Sequence, residues 1–99
     1  MRLVITGATS GIGRSLALMM KGEAELYLVG RREGALQEIA QLTGGSPIPT
    51  DVTSYAQCER LAKAVGSGPV ALVNSAGVAW FGDFASMPAE SLGEQVGSN

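Results

Sequence analysis

Short apolar runs alternate with stretches of helical periodicity through most of this sequence. Residues 3–6 form an apolar run too short for a helix and closed by Gly7, which reads as a strand. From Gly11 to about Lys21, the apolar residues Ile12, Leu16, Met19 and Met20 recur at helical spacing. Residues 25–29 give a second strand, ended by Gly30. Leu36, Ile39 and Ala40 mark a second helix face, closed by Gly44 and Gly45. Residues 46–51 hold one strong strand former, Ile48, between Pro47 and Pro49, and their place in the alternation makes them an edge strand. Ser54-Tyr55-Ala56-Gln57 fits a capping box, and the helix after it buries Cys58, Leu61, Ala62 and Val65. Residues 70–73 are a fourth, fully apolar strand. Such alternation predicts parallel βαβ units in one α/β domain spanning 1–99. Beyond Gly77, residues 80–84 read as a loop with apolar anchors, and a last helix is expected from about Ser86.

Between the first strand and the first helix lies Thr6-Gly7-Ala8-Thr9-Ser10-Gly11-Ile12-Gly13. A nucleotide site needs glycine there because the turn visits positive φ, which only glycine does cheaply. The backbone must also approach a pyrophosphate closely, with the helix N-terminus aimed at it. Gly13 lets the helix lie tightly on the sheet. The spacing is G-x-x-x-G-x-G, which differs from both the literal G-x-G-x-x-G fingerprint and the P-loop.

Other chemistries lack their parts. The chain has no histidine and one cysteine, so neither the usual zinc ligand sets nor a histidine-based triad can be assembled, and no metal site is expected. One cysteine also excludes an internal disulfide and fits a reducing cytoplasm. The net charge is −2 with no basic run, so nucleic acid is not an expected partner. No apolar stretch reaches the length of a membrane span, and the start lacks the pattern of a signal peptide. Any chemistry therefore needs a cofactor.

Four motifs, in order, resemble the short-chain dehydrogenase/reductase family in its compact, single-domain form. Thr6-Gly-Ala-Thr-Ser-Gly-Ile-Gly13 is similar to the family's TGxxxGxG turn. Asp51-Val52-Thr53 resembles the Asp-Val/Leu pair that touches adenine. Asn74-Ser75-Ala76-Gly77 resembles NNAG, with Ser75 in place of the second asparagine. Residues 91–99 resemble the helix whose asparagine belongs to the catalytic tetrad. The resemblance implies a Rossmann-like doubly wound parallel sheet, incomplete, in strand order 3-2-1-4 with helices on both faces. The fourth strand would then be an exposed apolar edge.

The resemblance also implies roles. Gly7, Ser10, Gly11, Ile12 and Gly13 surround the cofactor phosphates, and Ser10 doubles as a helix N-cap. Asp51 accepts a hydrogen bond from the adenine amino group while Val52 supplies backbone and an apolar wall. Asn74, Ala76 and Gly77 line the ribose. Asn99 is the catalytic position. The family's serine and Tyr-x-x-x-Lys pair fall beyond residue 99, and neither Tyr27 nor Tyr55 has a lysine four places on. The implied activity is hydride transfer between NADP(H) and a carbonyl or alcohol in an intact enzyme, usually a homo-oligomer, of which this chain holds the cofactor part.

NADP(H) is expected over NAD(H). NAD-specific folds carry an acid at the end of the second strand to hold the ribose 2′-hydroxyl. Here Gly30 stands at that point, followed by Arg31, whose guanidinium suits a 2′-phosphate, and by Arg32, which stacks on adenine or faces water. Two other readings use the same residues. One is a dinucleotide-binding module or sensor without catalysis. The other is an unrelated doubly wound domain, such as a methyltransferase or flavodoxin-like protein, whose glycine turn only looks alike.

Overall fold

A computed structural model describes residues 1–9, 11–74 and 79–83, the last by backbone alone. In chain order its elements are β1 (Arg2–Thr6), α1 (Gly11–Met19), β2 (Glu25–Gly30), α2 (Glu33–Thr43), β3 (Ser46–Pro49), α3 (Tyr55–Val65), β4 (Pro69–Asn74) and β5 (Ala79–Asp83). One sheet joins the strands in the order β3-β2-β1-β4-β5. The β1–β2, β1–β4 and β2–β3 pairs are parallel, which is the expected 3-2-1-4 arrangement.

Both faces of that sheet are covered, which is why its strands read as continuous apolar runs. Side chains still alternate between the faces. Leu3 and Ile5 of β1 pack with Leu26, Leu28, Ala17, Leu36 and Ile39 on the side of α1 and α2. Val4 faces the other way, with Val29, Val70, Leu72, Cys58, Leu61 and Val65 on the side of α3. Burial of this kind contributes about 1.5–3 kcal/mol per large aliphatic side chain. β3 pairs only with β2 and so occupies the edge expected of a strand carrying two prolines.

Four expectations need correction. First, the apolar periodicity of α1 does not mark its buried face. Its buried residues are Gly13 and Ala17, whereas Ile12 and Met19 are 66% and 75% exposed. A helix lying this close to the sheet admits only small side chains beneath it, and Leu16 and Met20 pack along its flanks. α1 also ends at Met19, short of Lys21. Second, residues 79–83 are a strand where a loop was expected. β5 folds back antiparallel on β4, with Val73 opposite Ala79 and Pro69 opposite Asp83. Third, β4 is therefore not an edge, because β5 takes its open row of backbone groups. The aromatic pair Trp80-Phe81 favours extended backbone, a signal outweighed in the sequence by the neighbouring Gly82 and Asp83. Fourth, Ala62 is only partly buried. The expected helix from about Ser86 lies outside the described residues.

Candidate cofactor cleft

The carboxyl ends of the four parallel strands finish at one level. Thr6 at the end of β1 is in register with Val29 on one side and Asn74 on the other, and Gly30 pairs with Pro49. In an open α/β sheet ligands bind in the crevice outside these ends. A cleft of about 540 Å³ opens there, lined by Thr6, Gly7, Thr9, Val29, Gly30, Arg31, Arg32, Thr50, Val52 and Asn74.

One wall is the glycine turn. Gly7 has φ 65° and Gly11 φ 57°, left-handed values that a side chain would make costly. Ala8 N–H donates to Val29 O at 3.2 Å and ties the turn to β2. Gly13 permits the closest approach in this region. A Cβ built on it would lie 2.2 Å from Gly7 O and 2.8 Å from Gly7 C. Helix and turn can meet only because that atom is missing.

The opposite wall is the end of β2. Gly30 leads into the exposed Arg31 and Arg32, and Arg32 is the N-cap residue of α2 without capping it through its side chain. A Cβ at Gly30 would meet Leu36 and Thr9 side-chain carbons at 3.5–3.7 Å, ordinary contact. A Cβ at position 30 is therefore tolerated, so close backbone approach is not what requires glycine there.

The floor is polar and ordered. Thr6, Thr50 and Asn74 are all buried. Thr50 N–H extends the sheet by donating to Gly30 O at 2.8 Å, and its hydroxyl donates to Ile48 O at 3.0 Å. Next in sequence, Asp51 flanks the cleft without being among its lining residues. Its Oδ1 accepts from Thr53 N–H at 3.0 Å and from the Thr53 hydroxyl at 2.6 Å. The Thr53 hydroxyl, and then its N–H, hold the Asp51 carboxyl below the ordinary carboxylate range, and the charge of Arg31 adds to this. That attraction puts Arg31 and Asp51 in one electrostatic neighbourhood. Cys58 is buried beneath this turn and donates from Sγ to Val52 O at 3.4 Å. Burial, and then the nearby Asp51 charge, push its thiol pKa up, so it is a packed thiol without nucleophile character.

Of the residues singled out from sequence, Gly7, Arg31, Arg32, Val52 and Asn74 line the cleft, and Gly13 supports it from behind. Gly11 and Ile12 line a separate shallow depression with Ser15, Leu16 and Met19, and Asp51 flanks the cleft without lining it. Ser10, Ala76, Gly77 and Asn99 lie outside the described residues. Thr9, Val29 and Thr50 were not anticipated. Thr50 and Val29 had a signal, since each sits at the carboxyl end of a strand in a parallel sheet. Among the described residues no cluster of histidine, cysteine and carboxylate side chains could hold a metal, and no helix is long and apolar enough to cross a membrane.

Comparison with known proteins agrees with this architecture. The family model for short chain dehydrogenase matches residues 2–99. An uncharacterized oxidoreductase of Staphylococcus aureus is 40% identical over 81 residues, covering 75% of this chain and 35% of its own. The chain thus spans about a third of the length of that relative. The crystal structure of a short-chain type dehydrogenase/reductase from Mycobacterium marinum superposes with a TM-score of 0.59 at 34% identity, over 65% of this chain and 28% of that one. A 3-ketoacyl-(acyl-carrier-protein) reductase from Brucella melitensis, complexed with NADH, gives a TM-score of 0.60 at 25% identity, over 65% and 28% of the two chains. With a parallel 3-2-1-4 sheet, a glycine turn at its switch point and a family match along nearly its whole length, this chain belongs to the short-chain dehydrogenase family of oxidoreductases.

Proposed function

We propose that the cleft binds a nicotinamide adenine dinucleotide, NADP(H) in preference to NAD(H), for hydride transfer with a carbonyl or alcohol substrate. The observation that carries this reading is the pairing of a positive-φ glycine turn on one wall with Arg31 and Arg32, and no acid, on the other. The dinucleotide fits this residue set. Gly7 and Gly11 hold the turn at positive φ, where its backbone amides would meet phosphate oxygens ahead of the N-terminus of α1. Arg31 takes the 2′-phosphate, where an acid at position 30 would repel it. Thr50 and Val52 form the adenine end, Asp51 turns its second carboxylate oxygen to the adenine amino group, and Asn74 borders the ribose. Ser10, Ala76 and Gly77, outside the described residues, are the remaining cofactor positions that the family's motifs imply. The cofactor supplies the hydride chemistry when bound, and these residues hold and orient it. Neither Tyr27 nor Tyr55 has a lysine four places on, so neither takes the family's proton-donor role, and Asn99 stands at the family's asparagine position.

A charge-assisted contact of this kind contributes about 1.5–3 kcal/mol, which corresponds to roughly ten- to a hundredfold in affinity. Calorimetric titration of the whole protein is expected to show NADPH binding more tightly than NADH by about that factor, with the gap narrowing as salt rises. In Arg31→Ala the gap should close. Equal affinities in the unsubstituted protein, or a gap that survives the substitution, would remove Arg31 from this role.

A further inference from the structure

The segment that follows β3 leaves the sheet at Thr50, whose N–H is the last to reach β2. Asp51 N–H has no strand to donate to, yet it is not left to solvent. Gln57, one turn into α3, reaches back and accepts it through Oε1 at 2.7 Å. The capping box read from sequence is thus half formed. Ser54 Oγ accepts from Gln57 N–H at 3.3 Å, but the glutamine side chain serves Asp51 instead of returning to Ser54. Ser54 N–H donates to Asp51 O at 3.0 Å, and Cys58 Sγ to Val52 O. The first turn of α3 therefore grips the backbone of Asp51 and Val52 from behind, and Thr53 fixes one carboxylate oxygen of Asp51 from the side.

We infer that Gln57 is a positioning residue for adenine recognition, holding the Asp51–Val52 backbone so that the unused carboxylate oxygen of Asp51 and the Val52 wall face the base. The inference rests on the dinucleotide reading of the cleft. Two features of Gln57 suit it to this task. Its amide oxygen is a neutral acceptor, so it serves Asp51 N–H without setting a second carboxylate beside the first. Its backbone belongs to a helix whose Leu61 and Val65 are buried in the core, so the grip is anchored to a rigid element.

The test compares NADPH with its purine analogue, in which hydrogen replaces the 6-amino group of adenine, in calorimetric titrations of the whole protein. The unsubstituted protein should prefer the adenine form by about tenfold. Gln57→Leu should bring that ratio close to one, and Gln57→Glu, which keeps the acceptor but sets a second carboxylate beside Asp51, should retain only part of it. A role in stability alone predicts equal weakening toward both nucleotides and an unchanged ratio, which would overturn the proposal. So would a ratio of one in the unsubstituted protein. A measurement without substitution guards against a variant that fails to fold. Asp51 N–H should exchange slowly with deuterium in the free protein, and exchange at the open-chain rate would equally overturn it. A protein that binds neither nucleotide would refute the dinucleotide reading itself, a result distinct from these.

Discussion

Gly13→Ala is expected to abolish measurable dinucleotide binding and to destabilise the fold, although alanine is the better helix former. Helix propensity alone favours the change by up to about 1 kcal/mol. Against it stands a contact that real structures do not contain, with the new Cβ 2.2 Å from Gly7 O and 3.3 Å from Ala8 Cα. The three nearest atoms are all backbone, so the clash cannot be relieved by a side chain swinging aside. Either α1 rises from the sheet, or the Gly7–Ala8 turn moves into the cleft it lines. Overpacking of this kind typically costs about 1–3 kcal/mol, and displacing the phosphate-facing turn adds a loss of binding of at least about a hundredfold, or roughly 2.7 kcal/mol. Gly34 in α2 provides the comparison. A Cβ there meets nothing within 4 Å, so Gly34→Ala should leave binding unchanged and stability equal or slightly higher. Denaturant melts and NADPH titrations of the two variants check the pair. If both behaved alike, close packing of α1 on the turn would not be what the site depends on.

Leu28→Ala should cost about 2–5 kcal/mol of stability. Leu28 is fully buried in β2, on the face that packs against α1 and α2. Its Cδ1 lies close enough to the Gly45 backbone that a Cβ there would approach to 2.9 Å. Removing the leucine branches leaves a void in the cluster it shares with Leu26, Leu36 and Ile39. Domains of this size hold only about 5–15 kcal/mol in total, so the loss is a large share. Urea unfolding followed by circular dichroism should show a lower midpoint at unchanged slope. A midpoint within error of the unsubstituted protein would show that this side of the core is looser than its burial indicates.

The parallel sheet and its order were legible because three independent signals agreed. Apolar runs of strand length alternated with helical stretches, glycines closed the strands, and the four motifs fell in family order. The cleft walls were legible for the same reason, since Gly7 and Arg31 each follow directly on a strand end and Val52 comes three residues after one. What escaped was set by packing rather than pattern. Ile12 and Met19 looked like the buried face of α1, yet the bare Gly13 and Ala17 face the sheet, because close approach selects for small side chains that carry no hydrophobic signal. β5 escaped because its pairing depends on the open edge of β4, which local sequence does not encode. Gln57 was visible as half of a capping box. Only the geometry shows that its side chain passes over Ser54 to reach Asp51.

Hydrogen exchange with and without NADPH, read residue by residue on the whole protein, addresses the dinucleotide cleft most directly. Binding should slow exchange at the backbone amides of residues 7–9, 30–32 and 50–52, which border the cleft from three separate strand ends. The far end of the sheet is the internal reference. There Arg2 donates to Val65 O at 2.6 Å and also to Ser67 O, and exchange around residues 65–68 should not change. Protection confined to that far end, or none at the three strand ends at saturating NADPH, would contradict a dinucleotide site at the carboxyl edge of this sheet.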